Sequence, residues 1–336
     1  MAKKVRLKEI AKAVGCSQAT VSHAFNDPKL VNRQTRQEIL RVSEELGYSR
    51  KRYFKQKKKI IGITARSLSA IFGPYYKDVT EAVLARAKEQ GVNVIIESFD
   101  DNEDVLPAMF SKKVLDGVLV YWDLPQDHIL KMKEAGIPLV ICGYPLPGFE
   151  VHTVLSDGRA GMYEIAKHLA DLGHRRFGYI TGGPAMNPIT SDRLDGFRYG
   201  LAEKGLKLDE ENIAVADFGR WELAAQAVDR LMAAEKPPSA LVCENDPLAF
   251  IAIHHLQEMG YKVPKDVSVT GFDDTPFIPG LDWEKPRLTT VHVDLRELGR
   301  LATTVLLDLI EEESRVACRH TLPVKLIIGK TTAAPK

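Results

Sequence analysis

The segment LKEIAKAVGCSQATVSHAFN, residues 7–26, decides how the chain is organised. Ile10, Ala11 and Val14 fall on one face of a first helix, and Val21 with Ala24 or Phe25 on one face of a second. Between them, Gly15-Cys16-Ser17 is a break in which each residue type has a reason. Gly15 takes the positive φ of a tight turn, Ser17 N-caps the second helix, and Ala11 is small where two helices cross closely. A third helix follows, with Asn32 as its N-cap and Ile39, Val42 and Leu46 as its apolar stripe. Three short helices and no strand make residues 1–49 a separate helical unit.

The charge supports the division. Over all 336 residues, 46 Lys and Arg nearly balance 45 Asp and Glu. Residues 1–59, however, hold 16 basic and 5 acidic side chains, a surplus of 11 positive charges, and the rest of the chain carries a net of −10. Seven of the ten residues of RKRYFKQKKK (50–59) are Lys or Arg. A basic helical end on an otherwise acidic chain points to a polyanion. In a helix-turn-helix the second helix enters the major groove of double-stranded DNA, its N-terminal side chains reaching the base edges. Gln18, Ala19, Thr20 and His23 occupy those positions, whereas Ser17, Asn32, Thr35 and Arg36 are placed for phosphates.

From residue 60 onward, short apolar runs alternate with helical periodicity. IIGITA (60–65), VNVIIES (92–98), DGVLVYW (116–122), IPLVICG (137–143), RFGYITG (176–182), SALVCEN (239–245) and VSVTGFD (267–273) read as buried strands. VHTVLSD (151–157) and IAVADF (213–218) are weaker ones. Helical stretches 79–90, 160–172, 194–204, 223–233 and 248–259 lie between them. Continuous apolar strands separated by helices imply parallel sheets covered on both faces. So many strands favour two doubly wound α/β subdomains, with a ligand cleft beyond the carboxyl ends of the strands.

The four cysteines are far apart and show no metal-ligand spacing, so neither a zinc site nor a disulfide framework is expected, and a reducing cytoplasm fits. No apolar run has the length of a signal-peptide core or a membrane span, so a soluble intracellular protein without a membrane partner is expected. No G-x-G-x-x-G follows the first strand, and G-x-x-x-x-G-K-[ST], H-E-x-x-H and G-x-S-x-G are missing, which argues against an enzyme and against a bound cofactor. His174, His254 and His255 lack acids at telling spacing. An exported binding protein would share the core but would not need the basic head.

The chain resembles the LacI/GalR (lactose-repressor) family of bacterial transcription regulators. VRLKEIAKAVGCSQATVSHAFN carries the likeness first, followed by VLSDGRAG (154–161), LGHRRFGYITGG (172–183), RLDGFRYGL (193–201), ENDPLAFIAI (244–253), VPKDVSVTGFDD (263–274) and PRLTTV (286–291). The resemblance implies a homodimer on a pseudo-palindromic operator and a periplasmic-binding-protein-like core, with a small-molecule effector between the subdomains. It divides the chain into a DNA-binding domain (1–49), a basic linker (50–59), a core N-subdomain (60–157 plus about 289–317) and a core C-subdomain (158–288 plus about 318–330). It also implies effector contacts from Phe72 or Tyr75, Asp157, Arg193, Phe218, Asn245 and Asp273, and dimer contacts from Val79, Val83 and Leu84. Carboxylates, amides, a forked guanidinium and aromatic faces suit a sugar or sugar derivative, with a nucleobase as the alternative.

The linker departs from the pattern. Relatives place Pro-Asn after the tyrosine corresponding to Tyr48, then a helix whose leucine wedges into the minor groove. Here Ser49-Arg50 follows, and Lys57 occupies the leucine position. Arg50, Arg52, Lys55 and Lys57 are expected to grip phosphates or lie in the minor groove instead, with Tyr53 or Phe54 as an alternative wedge.

Overall fold

The computed structural model describes residues 5–26, 30–46, 48, 58–99, 108–111, 114–121, 124–183, 187–216, 221–275, 287–311 and 316–336. The chain forms two compact units, Met1–Lys58 and Lys59–Lys336.

In the first unit, α1 (Leu7–Val14), α2 (Gln18–Asn26) and α3 (Arg33–Glu45) enclose a small core of Ile10, Ala11, Val21, Ala24, Phe25, Ile39, Val42 and Tyr48. Gly15 ends α1 at φ 72°. Ser17 Oγ accepts the Thr20 N–H at 3.0 Å, and Asn32 Oδ1 accepts the Thr35 N–H at 2.8 Å, so both predicted caps form. Leu46 departs from the expected stripe. The chain leaves α3 there, and its side chain is exposed.

The second unit contains two parallel sheets. The first comprises β1 (Ile60–Thr64), β2 (Asn93–Ile96), β3 (Gly117–Val120), β4 (Leu139–Cys142), β5 (His152–Ser156) and a late strand, Arg319–Leu322, in the order late strand-β5-β4-β3-β1-β2. On it pack α4 (Leu68–Phe72), α5 (Pro74–Glu89), α6 (Ala108–Ser111) and α7 (Gln126–Glu134). Side-chain alternation divides its residues between two cores. Ile61, Ile63, Leu119, Val140 and Val154 join one, and Val118, Val120, Leu139 and Ile141 the other.

The second sheet has β6 (Phe177–Thr181), β7 (Ile213–Val215), β8 (Ala240–Cys243) and β9 (Ser268–Thr270) in the order β7-β6-β8-β9. Its helices are α8 (Gly158–Asp171), α9 (Pro188–Glu203), α10 (Trp221–Met232) and α11 (Asp246–Glu258). α8 and α9 cross so closely that a Cβ on Gly196 would lie 2.2 Å from the Arg159 carbonyl oxygen.

Three connections join the subdomains. Besides β5 to α8, they are the stretch from β10 (Thr290–His292) to α12 (Leu295–Glu311), and that from the late strand, β11, to β12 (Lys325–Ile327). Here the expected boundaries need correction. β11 lies parallel to β5 in the first sheet, Arg319 opposite Thr153, so residues 319–322 do not belong with the second subdomain. Conversely, residues 289 and 292 bridge to Thr270 and Asp273 beside the second sheet, while α12 packs on α5 of the first subdomain. These strands are three or four residues long and have only one or two apolar residues each, so their sequence carries no sign of which sheet they join.

Val79 and Val83 are also corrected as dimer contacts. Both are fully buried in the chain's own core, where Gly299 of α12 lies against the Val79 carbonyl, and Leu84 alone of the three is exposed. The C-terminal segment is stitched to β9, with the Val269 N–H donating to the Thr331 carbonyl at 2.8 Å. Beside it, the buried His174 ring contacts Ser239 Oγ through Nδ1 (2.8 Å), and the Ala333 carbonyl through Nε2 (2.9 Å).

Candidate DNA-reading face and effector cleft

The head presents its reading residues on a short, capped helix. Gln18, Ala19 and His23 are exposed on α2, and Thr20 is partly covered, its hydroxyl 2.8 Å from that of Ser17. Four of the residues expected to position phosphates carry structural duties. Ser17 and Asn32 cap helices through their side-chain oxygens, Thr35 supplies the capped N–H of α3, and Arg36 Nε donates to the Ala24 carbonyl at 3.3 Å, tying α3 to α2. The Thr35 side chain and the remaining guanidinium donors of Arg36 can still meet a phosphate. Arg50, Arg52, Lys55 and Lys57, with Tyr53 and Phe54, lie outside the described residues.

In the core, the carboxyl ends of both sheets converge on Arg193. This side chain projects from the second turn of α9, which Pro188 starts and the Asn187 side chain caps. Its Nη2 donates to Asp273 Oδ1 at 2.8 Å and its Nη1 to the Glu244 carbonyl at 2.5 Å. The guanidinium carbon lies 3.9 Å from the centre of the Phe272 ring, and Gly158 leaves room for the aliphatic stem. Burial works against the charge, but the carboxylates of Asp273 and Glu244 outweigh it and hold the guanidinium above its ordinary pKa. Burial likewise pushes the Asp273 carboxyl up, against the pull of Arg193. Asp273 sits at φ 103°, a conformation fixed between β9 and β10 by the Asp273 N–H to Val291 carbonyl bond of 2.9 Å.

Two buried acids that sequence reasoning missed brace this pair. The Glu244 carboxylate accepts the Gly182 N–H at 2.7 Å and the Thr190 hydroxyl at 2.9 Å. Asp246 accepts the Thr275 N–H at 2.8 Å and the Thr290 hydroxyl at 2.5 Å, joining α11 to the segment after β9 and to β10. Burial raises both carboxyls above their usual range. The signal was available in ENDP, where acids directly follow an apolar strand and precede a proline-started helix.

The other expected cleft residues divide. Tyr75, in the first turn of α5, faces this pair from the first subdomain. Burial pushes its phenol pKa up, Asp273 and Arg193 act on it electrostatically, and it is hydrogen-bonded to Ser156. Asp157 and Asn245 sit at the predicted strand ends, where their Oδ1 atoms cap α8 and α11 by accepting the N–H groups of Ala160 (2.9 Å) and Leu248 (3.0 Å). Phe72 is 56% exposed at the end of α4 and is not part of the core. Phe218 lies outside the described residues. Among the described residues, no group of three or more His, Cys, Asp or Glu side chains could hold a metal ion, and no helix is long and apolar enough to cross a membrane.

A basic helix-turn-helix head on a two-subdomain α/β core with a polar cleft defines a DNA-binding transcription regulator of the periplasmic-binding-protein-like class. Residues 6–51 match the family model of bacterial regulatory proteins, lacI family, and residues 166–332 that of the periplasmic binding protein-like domain. The HTH-type transcriptional repressor PurR of Proteus mirabilis is 32% identical over 97% of this chain and 96% of its own length. CytR, an HTH-type transcriptional repressor of Escherichia coli K12, is 28% identical over 98% and 97%. The solved complex of the transcriptional regulator CelR with cellobiose has the same fold, with a TM-score of 0.71 and 24% identity, covering 98% of this chain and 100% of that one. The chain belongs to the LacI family of bacterial transcription regulators, and its relatives are repressors, not enzymes.

Proposed function

We propose that the chain is a cytoplasmic, effector-responsive repressor of carbohydrate-related genes that binds a pseudo-palindromic operator as a homodimer. Gln18, Ala19, Thr20 and His23 read base edges, and Ser17, Asn32, Thr35 and Arg36 set the register on phosphates, helped by Arg50, Arg52, Lys55 and Lys57 of the linker. Two heads are needed because a single small module buries too little surface for operator-grade affinity. The observation that carries the effector reading is the buried Arg193–Asp273 pair facing Tyr75 across the subdomains. A guanidinium beside a carboxylate offers donor and acceptor side by side, which matches adjacent hydroxyls, and an aromatic ring covers the apolar face of a sugar. The resemblance adds Asp157, Asn245, Phe72 and Phe218 as further candidate contacts. The cellobiose carried by the fold neighbour supports the same class.

The effector acts by binding one arrangement of the two subdomains better than the other, and the operator must then change effector affinity by the same factor. A thermal-shift screen of the full chain against sugars, sugar phosphates and nucleobases tests the class. A ligand at a hundred times its Kd stabilises by about 2.7 kcal/mol, roughly 5–10 °C for domains of this size. Hits confined to nucleobases would replace the carbohydrate reading.

A further inference from the structure

α9 enters the space between the subdomains with more than Arg193. Ile189, in its first turn, packs against the first-subdomain core cluster that contains Phe99, Ile129 and Ile141. Asp192, one residue before Arg193, divides its carboxylate between two arginines. Arg159 of α8, in the same subdomain, reaches Oδ1 at 3.4 Å, and Arg319 of β11, in the first sheet, lies 3.6 Å from Oδ2. Arg159 has a second acid in Asp195 at 3.1 Å. The Asp192–Arg319 pair therefore spans the two subdomains, whereas the Arg159 pairs do not.

We propose that Arg319 is a positioning residue that sets the balance between closed and open arrangements of the core, acting as an ionic latch on Asp192. The proposal rests on the reading of the cleft as an effector site. When the subdomains part, Arg319 leaves, and Asp192 keeps Arg159 as its counter-charge, so opening strands no acid without a partner. That exchange makes the latch reversible. Asp192 and Arg193 are consecutive residues of α9, so a ligand that shifts this helix as a rigid element moves both side chains together and joins effector occupancy to latch closure. The carboxylate is 31% exposed and Arg319 55% exposed, so the latch is an adjustable surface contact and not a structural clamp. Exposed pairs of this kind shift an equilibrium by about two- to fivefold, enough to tune a response without deciding the fold.

The test measures closure directly, with no effector and no operator. Nitroxides are attached to cysteines replacing the exposed helix-start residues Asp127 of α7 and Glu222 of α10, in the full chain carrying Cys16→Ser and Cys318→Ser and diluted with unlabelled protein. Distance distributions are recorded by pulsed electron resonance. The expected result is that Arg319→Glu lowers the ratio of short to long distances about two- to fivefold, while Arg319→Lys keeps most of it. Molar salt should lower the ratio in the parent and should not lower it in Arg319→Glu, where it instead screens the repulsion between two facing acids. An unchanged distribution in Arg319→Glu, or equal loss in Arg319→Lys, overturns the latch. Because no ligand is present, this outcome is independent of whether the cleft binds a sugar, which the thermal-shift screen decides.

Discussion

Replacing Arg193 by Met should expose how the cleft is held together. The Arg193 and Asp273 side chains are 9% and 8% exposed, so removing the guanidinium leaves a buried carboxylate without its counter-charge and the Glu244 carbonyl without its donor. Breaking one side of a buried pair costs about 3–5 kcal/mol, which at 2–4 °C per kcal/mol lowers the core's melting temperature by at least about 6 °C. The orphaned Asp273 has a relief route because burial already pushes its carboxyl up. Without Arg193, the folded carboxyl binds its proton at a higher pH than the unfolded chain does. Stability is then regained as pH falls and lost as pH rises, by up to about 1.4 kcal/mol per unit. Between pH 8 and pH 6 the deficit relative to the parent should shrink by as much as about 2.7 kcal/mol. Adding Asp273→Asn should remove that dependence and recover part of the loss, making the two substitutions strongly non-additive. Melting followed by circular dichroism at the two pH values provides the numbers. A deficit under about 1 kcal/mol, or one indifferent to pH, would refute the view that a desolvated ion pair organises the cleft.

Three further outcomes follow from the same geometry. Gln18→Ala should cost about 1–3 kcal/mol at one base position of the operator and leave the salt dependence unchanged; fluorescence anisotropy on single-base variants should show discrimination lost there, and a uniform loss would instead place Gln18 on the backbone. Gly196→Ala drives a methyl into the Arg159 carbonyl, so overpacking of about 2 kcal/mol should exceed the roughly 1 kcal/mol of helix propensity gained, lowering the urea midpoint. Burial holds the His174 pKa below that of a free imidazole, and the Ala333 hydrogen bond only partly offsets it. The unfolded chain therefore takes up a proton first as pH falls, and stability drops from about 6.5 down through the folded value; His174→Gln should flatten that part of the melting-temperature profile, and an unaltered slope would assign the dependence to other groups.

The head was legible residue by residue because its determinants are local: a turn glycine, two caps and a helical apolar stripe. The two-sheet core was legible because most of its strands are apolar runs, as parallel strands covered on both faces must be. Helix starts were read late. The expected helices begin at 79 and 194, whereas α5 and α9 begin at Pro74 and Pro188, since a proline-led first turn carries no apolar periodicity. The crossover strands β10, β11 and β12 escaped notice because their partners are remote in sequence and their apolar residues few. In the cleft, Arg193 and Asp273 come together, but the roles of Glu244 and Asp246 did not emerge: ENDP marks acids at a strand end, and only their donors Gly182, Thr190, Thr275 and Thr290, remote in sequence, make them buried braces. Asp157 and Asn245 show the converse. Their strand-end positions were foreseen, and each carries a capping bond that any acid or amide before a helix could make.

The most direct test of the central claim is a linked titration. The full chain is used to select its own duplex from a random library, and affinity for that duplex is measured by anisotropy with and without a ligand found in the thermal-shift screen. Ligand affinity is then measured by calorimetry with and without the duplex. The predicted result is a two-fold symmetric duplex whose affinity changes with ligand, and a ligand affinity that changes by the same factor when the duplex is present. A ligand that binds the cleft and leaves duplex affinity unchanged, with its own affinity equally indifferent to the duplex, would contradict it.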